Sequence, residues 1–257
     1  MAEKQWLFDR PWTRNFTKLR QDFVSSLLAK IREQVELQTA LDVGCGLGDF
    51  SQFLSELGFR VAAVDGRAEN VAEARGRYAN INFQQADAED LAAAGLGNFD
   101  LVLCFGLLYH LENPFRAIRS LCAATEKVLL VETMCIPGSE PTMYLLDEGV
   151  AEDQGLNYIA FYPSEPCLVK MLYRAGFSYV YLFQKLPADQ LYAATIWKER
   201  LRTMMIASRL ALNVPGLVLA KEKIQPVEGE VDPWSTDLRK LWVRLARLKN
   251  TVLKPLS

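Results

Sequence analysis

Leu41-Asp42-Val43-Gly44-Cys45-Gly46-Leu47-Gly48-Asp49 is the stretch on which the reading of this chain turns. A short apolar run, Ala40 to Val43, ends in three glycines at alternate positions, and a helix-compatible run, Phe50 to Leu57, comes next. A strand that turns into a helix through glycines sets backbone N–H groups and the helix N-terminus beside whatever occupies the turn. The missing Cβ atoms let that ligand come close. Gly44, Gly46 and Gly48 read G-x-G-x-G, and the dinucleotide fingerprint G-x-G-x-x-G is absent. Such turns serve several nucleotide-like ligands, so the flanking chain has to decide among them.

Outward from the turn, strand-like and helix-like segments alternate. Residues 39–43 read as a strand, 49–57 as a helix, 60–65 as a second strand after the helix stop Gly58, and 68–78 as a second helix. A short strand at 81–85 and at most a helical turn at 89–94 come after these. The run 99–105 is apolar enough for a buried central strand, Pro114 suits the first turn of a helix over 115–123, and 127–133 is another buried strand. Ser164 has the chemistry of an N-cap for a helix running to Ala175, with Gly176 as its stop, and residues 179–183 and 201–207 close the pattern. The alternation predicts an α/β fold with a doubly wound, mostly parallel, seven-stranded sheet.

Composition narrows the function classes. The 257 residues carry 29 Lys and Arg against 31 Asp and Glu, a net charge of -2, which gives no overall electrostatic case for nucleic acid. Five scattered cysteines with no C-x-x-C pair, and a single histidine, argue against a disulfide framework and a zinc site. Reduced thiols point to a cytoplasmic protein. Met1–Gln5 lacks the layout of a signal peptide, and no apolar run reaches the ~18 residues of a membrane span.

Acids recur where strands end. Asp65, with Gly66 after it, closes the second strand about 20 residues past the first loop glycine, the spacing of a ribose-binding acid. Asp87, with Ala88 after it, closes the third. Ligands of open parallel sheets bind at these carboxyl ends. The fourth strand and the turn beyond it read Phe99-Asp100-Leu101-Val102-Leu103-Cys104-Phe105-Gly106-Leu107-Leu108-Tyr109-His110-Leu111-Glu112-Asn113-Pro114. This segment, with Leu41–Gly48, Asp65 and Asp87, resembles the class I (Rossmann-like) S-adenosylmethionine (SAM)-dependent methyltransferases over residues 35–135. The L-Y-H-L-x-x-P form, with Leu130-Val131-Glu132-Thr133 after it, is similar to a subgroup that includes carboxymethyl transferases of tRNA wobble uridine. The resemblance implies SAM as cofactor, with S-adenosylhomocysteine (SAH) as its product. It implies a cofactor site at Gly44, Cys45, Gly46, Asp65, Gly66, Asp87 and Ala88, with Cys104 or Phe105 at the methionine end, and gives Asp42 a bracing role beneath the loop.

Histidine's ordinary pKa of about 6.5 suits removal of a hydroxyl proton. His110, with Tyr109, therefore stands as the group facing the acceptor, the alternative being a brace for the loop into the next helix. Missing motifs set aside amino-methylating DNA enzymes, cytosine-C5 enzymes and metal-dependent catechol enzymes, so no metal is expected. Residues 134–163 lose periodicity and are rich in aromatics. Tyr144, Tyr158 and Tyr162 are the expected acceptor-binding residues of this insertion. The expected function is metal-independent methyl transfer, O-directed, to a small molecule or glycan. Alternatives are an RNA-modifying transferase of the wobble-uridine type and a catalytically silent SAM-binding subunit.

The chain divides into a helical cap (1–37), a methyltransferase domain (38–208) and a C-terminal extension (209–257). In the cap, Phe23, Leu27, Leu28 and Ile31 mark the apolar face of a helix that either covers the cofactor or simply packs on the sheet. The extension is loop-like from Pro215 to Asp232. It ends in an amphipathic helix with six Lys and Arg and one acid between Pro233 and Ser257. That basic helix either packs on its own domain or docks on a partner or an anionic membrane surface.

Overall fold

A computed structural model describes residues 6–150, 154–194 and 201–221. Met1–Glu222 forms one compact unit, and the basic helix expected over 233–257 lies outside the described residues. Helix α1 (Pro11–Arg32) leads into β1 (Thr39–Val43), α2 (Asp49–Glu56), β2 (Arg60–Asp65), α3 (Ala68–Arg77) and β3 (Asn82–Gln85). A 3-10 segment, Ala88–Ala94, precedes β4 (Phe99–Phe105), and a single 3-10 turn, Leu108–His110, comes after it. The chain continues through α4 (Pro114–Ala124), β5 (Thr125–Met134), β6 (Met143–Asp147), β7 (Ile159–Pro163), α5 (Glu165–Ala175), β8 (Tyr179–Phe183), β9 (Arg202–Ser208) and β10 (Leu217–Leu219).

Among the described residues eight strands make the main sheet, in the order β10-β8-β9-β5-β4-β1-β2-β3. Strands β1 to β5 pair parallel, and β9, β8 and β10 join antiparallel. The sheet has one strand more than the seven expected. Leu217-Val218-Leu219, in a stretch with the composition of a loop, pairs with Leu182 and its neighbours at the β8 edge. Three residues carry too little pattern to announce a strand. Within the insertion, β6 and β7 form a separate antiparallel pair that no periodicity in the sequence announces.

Strands β4 and β5 occupy the middle of the sheet and read as continuous apolar runs because helices cover both faces. One face packs α4 and α5 through Ile118, Leu121, Leu168 and Leu172; the other packs α1 and α2 through Leu28, Ile31 and Leu54. Asp100, at the start of β4, ties that strand to the chain entering β1. Its Oδ2 accepts the Gln38 and Thr39 N–H groups, and its Oδ1 pairs with Lys127 Nζ at 2.8 Å. Burial pushes its carboxyl up, but Lys127 and the two N–H donors outweigh that and hold it at about 2. Ser164 caps α5 by accepting the Cys167 N–H, and Gly176 ends it with φ of 116°.

Candidate active site

The glycine turn leaves β1 with Gly44 and Cys45 N–H groups both donating to the Val64 carbonyl of β2. Gly44 has φ of 78°, and a Cβ there would lie 2.8 Å from Leu107 Cβ. Gly48 has φ of 93° and would collide with Phe83. Both positions therefore require glycine on conformation and on space. Beneath the turn, the Ser51 hydroxyl donates to Asp42 Oδ2 at 2.7 Å, which ties β1 to the first turn of α2. Asp42 is buried among apolar side chains and its carboxyl is pushed up to about 7, chiefly by that burial; Ser51 opposes the shift, and Asp65 and Asp49 add to it.

At the carboxyl ends of β1, β2, β4 and β5 lies a cavity of about 850 Å³. One wall carries Gly44, Gly46, Asp65, Gly66, Asp87 and Ala88, joined by Asn70 of α3 and by Phe105 and Gly106 after β4. Cys45 and Cys104 are absent from this wall. Cys45 is buried with Ala63, Val71 and Phe83 beneath the turn, and Cys104 is buried within β4, where the alternation that sends Phe105 to one face sends Cys104 to the other. Burial raises both thiols.

Asp65 is already engaged. Its Oδ2 accepts the Gly46 N–H at 2.9 Å, and its Oδ1 accepts the Arg67 N–H and the Asn70 amide at 2.9 and 3.1 Å. The acid thus both braces the glycine turn and caps the entry to α3. Burial raises its pKa despite these donors. A carboxylate has about four acceptor positions, so one remains for a ligand hydroxyl. Asn70 Oδ1, beside it, is buried with no hydrogen-bond partner among the described residues. Asp87 accepts the Glu89 N–H at 2.8 Å and so caps the 3-10 segment.

The same cavity is also lined by Tyr109, His110, Tyr162, Met134 and Glu148. His110 Nδ1 lies 2.7 and 2.8 Å from the two oxygens of Glu148, whose Oε2 also accepts the Gly155 N–H. Glu148 comes from the insertion. The Tyr109 and Tyr162 rings meet edge to face at 5.7 Å between centroids. Tyr144 and Tyr158 do not line the cavity: both are exposed, Tyr144 on β6, which lies outside β7, and Tyr158 in the turn between them with φ of 57°. Of the three insertion tyrosines, the structure brings only Tyr162 to the site. Two further ties hold the insertion over the cavity: Arg67 donates to the Gln154 carbonyl and Asn157 to Glu112.

Behind Tyr109 stands a charged cluster that sequence reading missed. Glu132, near the end of β5, is fully buried; Arg202 Nη1 contacts both its oxygens at 2.8 and 3.0 Å, and Tyr192 donates to it at 3.0 Å. Arg202 Nη2 donates to the Tyr109 hydroxyl at 2.8 Å. Arg20 of α1 reaches Glu132 at 3.4 Å. Burial works to raise the Glu132 pKa, but the Arg202 and Arg20 charges outweigh it and hold the carboxyl below its usual range. Arg20 and Arg202 line the cavity. So do Phe8, Trp12, Thr13, Phe16 and Thr17, which means that the first half of α1 walls the site while Val24, Leu27, Leu28 and Ile31 pack on the sheet. Phe8 sits over Gly46, fixed by Asp9, which pairs with Arg77 at 2.7 Å.

An open, mostly parallel sheet with a glycine turn and strand-end acids around one cavity defines a protein that binds a nucleoside-type ligand. Residues 13–182 match the family described as Methyltransferase domain, and the chain belongs to that family. It is 36% identical over 110 residues to a ubiquinone biosynthesis O-methyltransferase of Caulobacter vibrioides, covering 40% of this chain and 43% of the relative. Identity to the protein of the same name in Xanthomonas campestris is 33% over 133 residues, covering 49% and 53%. The chain thus spans about half the length of these curated relatives. Among solved structures, the N-terminal domain of EvdMO1, crystallised with SAH and D-fucose, superposes with a TM-score of 0.57 at 21% identity, covering 73% of this chain and 82% of that one. Magnesium protoporphyrin IX methyltransferase of Synechocystis, with bound SAM, superposes with a TM-score of 0.54 at 20% identity over 81% and 87%. The fold is that of the class I methyltransferases, and SAM is the family's cofactor.

The residues present fit that cofactor. The glycine turn admits close backbone approach, Asp65 keeps an acceptor position for a ribose hydroxyl, and Asn70 Oδ1 is an orphaned acceptor beside it. Gly44, Gly46, Asp65, Asp87 and Ala88 would hold it. Among the described residues no helix is long and apolar enough to cross a membrane, and no group of three or more His, Cys, Asp or Glu could hold a metal ion.

Proposed function

We propose that this protein methylates an oxygen of a small hydroxylated molecule, with His110 as the general base, and without a metal ion. The observation that carries the reading is the His110–Glu148 pair on the wall of the cavity that the glycine turn also lines. Bound SAM supplies a methyl group already activated on a sulfonium, so the protein's tasks are alignment and proton removal. Glu148 fixes the imidazole through Nδ1 and stabilises the imidazolium that forms when His110 takes the hydroxyl proton. Tyr109 is a poorer base: burial raises its hydroxyl pKa, and that hydroxyl already accepts a hydrogen bond from Arg202. Tyr162 and Tyr109 offer ring edges and faces to the acceptor. The names of the curated relatives, O-methyltransferases of ubiquinone biosynthesis, favour oxygen as the nucleophile.

Transfer of labelled methyl from SAM into a small-molecule extract tests this. Labelled products should carry the methyl group on oxygen, as ethers, and EDTA should leave turnover unchanged. His110→Ala should lower kcat by about 10²-fold or more with SAH affinity retained. Near-normal turnover in His110→Ala refutes the base assignment. Label appearing in tRNA, or SAH binding with no labelled product at all, refutes small-molecule transfer.

A further inference from the structure

The insertion reaches the cavity at a second place, away from His110. Leu156 lines the wall there, and its Cδ1 lies 3.2 Å from where a Cβ of Gly66 would stand. Among residues not adjacent in sequence, nothing else comes within 4 Å of that position. Gly66 is not one of the glycines with positive φ, so its backbone would admit a side chain. Residue 66 is thus bare, and a leucine from another segment fills the space that its side chain would take.

Leu156 is held in this place by its neighbours. The Gly155 N–H donates to Glu148 Oε2 and the Arg67 guanidinium to the Gln154 carbonyl, both at 2.8 Å, and Asn157 donates to Glu112 at 3.1 Å. Gly155 has no room for a side chain, since a Cβ there would lie 2.7 Å from the His110 carbonyl oxygen. Leu156 is nevertheless 56% exposed. An exposed leucine by itself means little. One fixed on a cavity wall offers an apolar face to whatever fills the cavity.

Strand order decides which part of a nucleoside passes beneath it. Asp65, at the end of β2, keeps an acceptor position for a ribose hydroxyl, and its Oδ2 holds the Gly46 N–H of the glycine turn on the β1 side. The charged amino-acid arm of SAM suits that turn, with its backbone N–H groups and helix N-terminus. The base is left with the β3 side. There the Gly66 carbonyl accepts from Gln85 Nε2 and the Asp65 carbonyl from the Ala86 N–H, and Ala86 and Ala88 line the cavity. Small apolar residues leave room for a flat ring, and Leu156 stands at the Gly66 end of that stretch.

We infer that Leu156 binds the methyl donor, its side chain covering the adenine of SAM beside Gly66. This rests on the reading of the cavity as a SAM site and adds a donor-binding residue from the insertion. The contact is apolar burial on the face of the ring, with no polar group to satisfy. The insertion that supplies Glu148 to His110 thereby also closes over the donor, so one segment serves both the base and the nucleoside.

The test is calorimetry on the full chain with SAH and with 5′-methylthioadenosine, which keeps the nucleoside and lacks the amino-acid arm. Failure of the natural chain to bind SAH refutes the cofactor site itself, whatever Leu156 does. With binding established, Leu156→Ala should weaken both ligands by the same factor, about tenfold, because three side-chain carbons lose their burial. Leu145→Ala removes an equally exposed leucine of β6 that does not line the cavity, and should change neither Kd by more than about twofold. Gly66→Ala adds a methyl group where Leu156 stands. It should recover about threefold in SAH affinity in the Leu156→Ala chain and bring no such gain in the natural one. An SAH Kd in Leu156→Ala within about twofold of the natural value overturns the assignment, as does an equal loss in Leu145→Ala. A loss for SAH with none for 5′-methylthioadenosine also overturns it, because Leu156 then serves the amino-acid arm. So does a Gly66→Ala effect of the same size in both backgrounds.

Discussion

Replacing Asp42 with asparagine should make this protein more stable, by an amount that grows with pH. Asp42 is fully buried under the glycine turn, and its carboxyl is raised from an ordinary 3.8 to about 7. A carboxylic acid whose folded pKa lies above its unfolded one favours the folded state only while protonated. Between pH 4 and pH 7 the folded chain binds more protons at this site than the unfolded chain does, so stability falls as pH rises through that window and the loss is complete above pH 7. The rise from 3.8 to about 7 corresponds to about 4 kcal/mol, at ~1.36 kcal/mol per pKa unit. Asparagine keeps the shape and a hydrogen-bonding oxygen for Ser51 but cannot ionise. Urea unfolding of both proteins at pH 5, 6, 7 and 8 provides the measurement. Other titrating groups contribute alike to the two, so the difference between their unfolding free energies isolates Asp42. That difference should be smallest at pH 5 and largest at pH 8, in favour of the variant. Parallel curves with a pH-independent offset would refute the argument and show that Asp42 ionises inside the folded protein at no cost.

Gly44→Ala places a Cβ at φ of 78° and 2.8 Å from Leu107, so SAH affinity should fall about tenfold or more, read by calorimetry, with a stability loss of about 1–3 kcal/mol. Asp100→Asn removes a carboxylate held at about 2 by Lys127 and two backbone N–H groups; it should cost about 2 kcal/mol at neutral pH. The sign is opposite to that of Asp42: the Asp100 contribution is present above pH 4 and lost as pH falls through 2, so acid unfolding of the variant should be less steep. Asp9→Asn breaks the contacts to Arg77 and Arg14 that hold Phe8 over Gly46. Trypsin should then cut within the first 20 residues faster than in the natural chain, and saturating SAH should slow that cleavage.

Most of the sheet was legible because its strands obey simple period and burial rules. The strands at 39–43, 60–65, 99–105 and 179–183 have the limits the sequence predicts, and β9 begins at Arg202, one residue from the expected start. The glycine turn was legible for a different reason, since positive φ leaves a mark in residue type. Side-chain direction was harder: Cys45 and Cys104 adjoin cavity-lining residues in sequence but turn into the core. Glu148, which pairs with His110 across 38 residues, sits in an insertion with no periodicity, and nothing local distinguishes it from Asp147. Arg20 did leave a trace. It falls between Phe16 and Val24 on the stripe that continues to Leu27 and Ile31, a charge where helical spacing calls for an apolar residue. Glu132 likewise interrupts a buried apolar strand. Two such misfits, one on a helix and one on a strand, met 112 positions apart only once the fold was known.

The antiparallel return of β9 has a consequence for how this site can change over generations. Parallel strands deliver their last residues to the ligand edge, whereas β9 delivers its first, Arg202. Seven rungs against β5 fix its phase, with Arg202 opposite Met134 and Met204 opposite Glu132, so that Arg202 and Glu132 share a face. Lengthening or shortening the chain ahead of Arg202 leaves that phase untouched. Inserting or deleting one residue inside the strand turns the arginine to the opposite face and strands Glu132. Length changes upstream are therefore limited only by the Tyr192 hydroxyl that reaches Glu132, whereas Arg202 is locked to a ladder that tolerates no shift.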